Sequence, residues 1–133
     1  MDTNITVGMI GEKKDVVTKD NTAIQYGSGS IPVYATPAMV GLMEGASINA
    51  VDPHLAEGMS TVGIELMIKH IAATPVGMAV RATAEVSEID GKRLVFTVKA
   101  FDDKEQIGSG THVRYIVSVQ KFLQKVESKL RIN

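Results

Sequence analysis

Residues 33 to 47 read VYATPAMVGLMEGAS, and the interpretation of this stretch decides the fold. Thr36-Pro37 is a helix start: a hydroxyl residue suited to the N-cap, then a proline suited to the first helical position. The apolar run that follows ends near Asp52-Pro53, so the spacing predicts a helix from Pro37 to about Val51. Between those bounds Glu44 is the one ionisable side chain, and its one-turn neighbours Val40, Gly41, Ser47 and Ile48 are apolar or small. A helix of this kind is expected to have no solvated face. It needs another layer to bury it.

On the C-terminal side the apolar period drops to two. STVGIELMIKHIA sets Val62, Ile64, Leu66, Ile68 and His70 against Gly63, Glu65, Met67 and Lys69. VGMAVRATAEVSEI aligns Val80, Ala82, Ala84 and Val86, and Asp90-Gly91 then supplies a hairpin turn into RLVFTVKAF. After the polar turn DDKEQ, the segment IGSGTHVRYIVSVQ puts Ile107, Thr111, Val113, Tyr115 and Val117 on one side. KFLQKVESKL returns to helical spacing at Phe122, Val126 and Leu130. Before the long helix, the alternation of Ile5, Val7 and Met9 predicts a strand, followed by charged GEKKD and by TKDNTAIQYGSGS, a helical turn and loop rich in turn formers. The expected order is strand, long helix, four strands, short helix. This predicts an α+β domain over residues 1–133, a five-stranded antiparallel sheet curled around a long central helix, with a short C-terminal helix.

Composition narrows the function. The 14 Lys and Arg nearly balance the 15 Asp and Glu, which leaves no overall field for nucleic acid or an anionic membrane. The absence of Cys excludes disulfides, thiolate catalysis and Cys-based zinc sites together, and fits the cytoplasm. No run approaches the roughly 20 apolar residues of a membrane span. MDTNITVGMI lacks the basic-then-apolar pattern of a secretory leader.

Few side chains are then left to carry chemistry. A carboxylate on an apolar helix costs several kcal/mol unless it meets donors or a polar cavity, so Glu44 is either a paired structural acid or part of a site. Thr36 reads first as a helix cap, but the start of a buried helix also offers free N–H groups to an oxyanion. His70 closes the apolar face of its strand where a core pattern would place Val or Ile. It is a core or rim histidine, or it joins Glu44 in acid–base work near neutral pH. His112 and Arg114 share one face of the last strand and read as an exposed polar face, with Arg114 a candidate partner for Glu44 or an anion. No helical two-His motif supports a metal. GSGTHV lacks the third glycine of a dinucleotide fingerprint and leads into a strand.

Taken together, GSGSIPVYATPAMVGLMEGAS, LAEGMSTVGIELMIKHIAATPVGMAV and IGSGTHVRYIV resemble the hotdog-fold thioesterases of the fluoroacetyl-CoA thioesterase type, over about residues 20–120. The resemblance implies a homodimer joined sheet to sheet, or two such dimers as a tetramer, with an acyl-CoA substrate bound at the interface. It implies a catalytic set of Thr36 in YATP, Glu44 in LMEGA and His70 in IKHIAATPVG. It also implies substrate-binding roles for Gly63, through its backbone N–H, and for Arg114, as a support beside the histidine. The expected reaction is hydrolysis of a small or medium acyl-CoA to free acid and CoA, with no metal and no cofactor beyond the CoA of the substrate. A non-catalytic module that binds acyl-CoA or another thioester on the same fold is the alternative. An enoyl-CoA hydratase would need an Asp and His pair in a context this chain lacks.

Overall fold

The computed structural model describes residues 4–131. Along the chain run β1 (Ile10–Val16), the single helical turn α1 (Ala23–Tyr26), the long helix α2 (Thr36–Val51), β2 (Met59–His70), β3 (Ala79–Asp90), β4 (Arg93–Asp102), β5 (Gln106–Ser118) and α3 (Val119–Glu127). The strands form one antiparallel sheet in the order β1-β3-β4-β5-β2. This is the hotdog arrangement, an α+β fold with α2 laid across one face of the sheet.

The core is the sheet's inner face against one side of α2. Val80, Ala82, Ala84 and Val86 of β3 and Leu94, Phe96, Val98 and Ala100 of β4 are buried against Met39, Leu42, Met43 and Ala46. Each larger side chain contributes roughly 1.5–3 kcal/mol by leaving water. Small residues set the spacing of the two layers. A Cβ on Gly11 of β1 would run into the backbone of Ala46 and Ala50, so helix and sheet touch main chain to main chain there. Gly91 takes φ +59 in the β3–β4 hairpin, as the Asp-Gly pair requires.

Four expectations change. First, β1 begins at Ile10 and contains GEKKD. It is an edge strand with most residues exposed, and edge strands tolerate charge; Gly11 is the residue of β1 buried against the helix, while Glu12 accepts from Asn49 through its backbone carbonyl and the Lys13 stem lies over Gly45. Second, α2 does have an uncovered side, because the sheet spans only part of its circumference. Pro37, Gly41 and Ile48 are exposed, and Val40 and Glu44 are half-buried.

Third, β2 is the opposite edge, with a register shift between Gly63 and Glu65, and it leaves Ile64, Leu66 and Met67 exposed by 55%, 41% and 68%. Its simple alternation therefore does not mark a buried face. Fourth, His112 and Arg114 point inward while Thr111 and Tyr115 are exposed. The register pairs Leu94 with Arg114 and Phe96 with His112, so these polar residues share the core face of β4. α3 is amphipathic, with Phe122, Leu123 and Val126 exposed. No helix among the described residues is long and apolar enough to cross a membrane.

Candidate active site

Two polar clusters lie along the free side of α2. The first is at its start. Ala35 occupies the N-cap position without a side-chain cap, and Thr36 is the first helical residue, so the hydroxyl is not used as a cap. The Thr36 Oγ1 lies 2.7 Å from Nδ1 of His70, the last residue of β2. The other ring nitrogen, Nε2, is buried and has no partner. A pocket of about 320 Å³ opens here, lined by Thr36, His70, Tyr34, Val33 and Ala72. Burial holds the imidazole below its ordinary 6.5, partly offset by a backbone hydrogen bond with Ala72. The ring is therefore neutral at pH 7, with one nitrogen to accept a proton and one to give it.

The second cluster surrounds Glu44, two turns further along the helix and roughly 12 Å away at 1.5 Å per residue. Glu44 Oε2 lies 4.0 Å from Nη1 of Arg114, a guanidinium buried in the core face of β5. Arg114 is fixed on three sides: Nε donates to Thr61 Oγ1 at 2.8 Å, Nη2 to the Thr61 carbonyl at 2.8 Å, and Nη1 to His112 Nε2 at 3.1 Å. Burial pulls Arg114 down from its ordinary value, while the carboxylates of Asp52 and Glu44 oppose that shift.

Arginine has no acceptor, so His112 must accept at Nε2 and carry its proton on Nδ1, which donates to the Glu65 carbonyl at 2.9 Å. Burial lowers His112, and the neighbouring Arg114 charge adds to this. Gly63 faces the same point. A Cβ there would stand 3.1 Å from His112 Cε1, 3.2 Å from Glu44 Oε2 and 3.4 Å from Arg114 Nη1.

Within one chain the structure thus brings Thr36 to His70, and Glu44 to Arg114 and Gly63. It does not bring Glu44 to His70. Arg114 stands beside His112. Sequence reasoning placed His112 on an exposed face and overlooked Asp52 and Thr61; the inward-facing pair on β5 had no signal in an alternation that fits either face. Among the described residues no group of three His, Asp or Glu is placed to hold a metal ion. A larger cavity, about 510 Å³, is lined by Lys14, Arg81, Phe101 and Asp102 and includes none of the residues above. Both polar clusters border the uncovered side of α2 and the free edge of β2.

The profile of a family described as fluoroacetyl-CoA-specific thioesterase matches residues 17–120. A fluoroacetyl-CoA thioesterase from Streptantibioticus cattleyicolor is 44% identical over 97 residues, covering 73% of this chain and 70% of that protein. A solved structure of a fluoroacetyl-CoA thioesterase superposes with a TM-score of 0.88 at 38% identity, over 95% of this chain and 98% of the other. A thioesterase superfamily member from Thermus thermophilus gives 0.85 at 28% identity, over 95% and 96% of the two chains.

Proposed function

This chain belongs to the fluoroacetyl-CoA-specific thioesterase family, and from that premise we propose that it cleaves a small or medium acyl-CoA with Thr36, Glu44 and His70 where two copies of the chain meet. The activity is acyl-CoA thioester hydrolysis: water adds to the carbonyl carbon, the C–S bond breaks, and the free acid and CoA leave. The observation that carries the assignment of residues is the Thr36–His70 contact at 2.7 Å, with the second imidazole nitrogen unpaired at the wall of a pocket.

The proposed interface joins the free edge of β2 to its own copy. A two-fold axis runs such a pair antiparallel, and the exposed Ile64, Leu66 and Met67 set the centre of the contact. Glu44 and Gly63 of one chain then lie near His70 of the partner subunit, and the uncovered side of α2 is covered. In this arrangement the Glu44 carboxylate serves as base for water or as nucleophile, and the imidazole delivers the proton to the departing sulfur. The Thr36 hydroxyl orients that ring. The Gly63 amide and Arg114 support the charge that develops on the carbonyl oxygen and on Glu44. The scheme uses no metal and no cofactor other than the CoA carried by the substrate. We place the reaction in the cytoplasm, in keeping with a cysteine-free chain.

The test is CoA release, followed with a thiol reagent, across a panel of acyl-CoA thioesters including fluoroacetyl-CoA. Glu44→Gln and His70→Ala are each expected to lower kcat by roughly 10²-fold or more on the best substrate, with circular dichroism unchanged. Binding of acyl-CoA without any CoA release would assign the chain as a thioester-binding module. Full activity in both variants would remove these residues from the mechanism.

A further inference from the structure

Asp52 closes α2 at its C-terminal end, where the helix dipole disfavours a carboxylate. Its side chain does not turn to solvent. Oδ2 accepts from Ser60 Oγ at 2.8 Å and from the Thr61 backbone N–H at 3.4 Å, and Oδ1 accepts from Thr61 Oγ1 at 2.7 Å. The last bond has a consequence for Arg114. A carboxylate can only accept, so the Thr61 hydroxyl must spend its single hydrogen on Asp52 and keep a lone pair for Arg114 Nε. The chain of donors and acceptors from Asp52 to Arg114 has one direction only.

From this geometry we infer that Asp52 and Thr61 are positioning residues for the hydrolysis, acting in series to hold the buried Arg114 guanidinium in the one orientation that faces Glu44. The inference rests on the reading of Glu44 as a site residue. An unfavourable carboxylate at the end of α2 is explained by what it fixes 4.0 Å from Glu44. Arg114 has three of its five N–H donors committed to Thr61 and His112, and the second hydrogen of Nη1 is left on the side of the Glu44 carboxylate. Without the Asp52 carboxylate the Thr61 hydroxyl is free to rotate its hydrogen toward the guanidinium. The fork then loses its anchor at Nε, and both Glu44 and His112 lose a neighbour of fixed position.

Three variants separate positioning from mere packing. Thr61→Val keeps the shape and removes the hydroxyl; Asp52→Asn keeps the size and introduces an amide that can donate; Ser60→Ala removes a bond to the same carboxylate that does not lead to Arg114. Two readouts are taken: kcat and KM on the acyl-CoA that the unaltered protein turns over fastest, and the His112 tautomer from ¹⁵N NMR of the imidazole. Thr61→Val and Asp52→Asn are expected to lower kcat roughly 10- to 100-fold, with KM within about twofold. Both are expected to convert the single Nδ1–H tautomer of His112 to a mixture. Ser60→Ala is expected to change neither.

Unaltered kcat in Thr61→Val overturns the inference. So does an equal loss of kcat and melting temperature in Thr61→Val and Ser60→Ala with the His112 tautomer intact. An Asp52→Asn chain that fails to fold leaves the decision to Thr61→Val. Should the unaltered protein release no CoA from any thioester, the thioesterase reading fails, and the NMR comparison alone decides whether Thr61 fixes Arg114.

Discussion

At Gly63 a missing side chain decides how much room Glu44 has. A methyl group would stand 3.2 Å from the carboxylate oxygen and closer still to the fixed His112 ring, so the flexible Glu44 would be the group to move. Gly63→Ala is therefore expected to lower kcat by roughly tenfold or more while the fold persists, measured as turnover beside a thermal melt. Wild-type turnover in that variant would show that Glu44 needs no such space. The two buried histidines add a pH dependence. Burial lowers both His70 and His112 from their ordinary 6.5, so the unfolded chain takes up protons first as pH falls below that value. Stability is full above pH 6.5 and declines below it until the folded protein also protonates. The urea midpoint is expected to be lower at about pH 5.5 than at about pH 7.5, and an unchanged midpoint would contradict the burial of both rings. Glu44 was legible as a site candidate because it is the lone acid in an apolar helix. His112 was not legible, because a strand alternation fixes two faces without saying which is inside.

At the scale of elements, the helix and the sheet meet where the strand has no side chain and the helix carries only methyl groups. Gly11 of β1 admits the backbone of α2 at Ala46 and Ala50, and a Cβ there has only main-chain atoms to displace. Gly11→Ala is expected to destabilise the protein by about 1–3 kcal/mol, read as a lower urea midpoint with an unchanged slope. A midpoint equal to that of the unaltered chain would mean that the layers are less closely packed than the structure has them. The long helix was legible from Thr36-Pro37 at one end and Asp52-Pro53 at the other, and the hairpins from Asp90-Gly91 and DDKEQ. β1 was misread by several residues: an edge strand that pairs with only one neighbour can carry GEKKD, so its hydrophobic pattern is weak. Gly108 and Gly110 sit inside β5, where Gly110 lets the backbone of β2 come near at Met67 and Ile68 and Gly108 makes room for the Met39 side chain.

For the whole molecule, a bare β2 edge with Ile64 and Met67 exposed is a surface that invites another strand. Sedimentation is expected to give a dimer. Ile64→Lys combined with Met67→Lys, which sets like charges against each other across the two-fold axis, is expected to give a folded monomer that has lost at least about tenfold in kcat. A fully active monomer would place the complete site within one chain. The sequence by itself determined the order of helix and strands, because caps, turns and apolar periods are local properties, and it singled out Thr36, Glu44 and His70 as candidates for chemistry. Only the tertiary structure decided which of them meet. The sheet order puts β2 at an edge, the pairing with β4 turns His112 and Arg114 inward, and the packing of sheet and helix brings His70 to Thr36 and Arg114 to Glu44. Those placements arise from contacts between residues far apart in the chain, which no local pattern encodes.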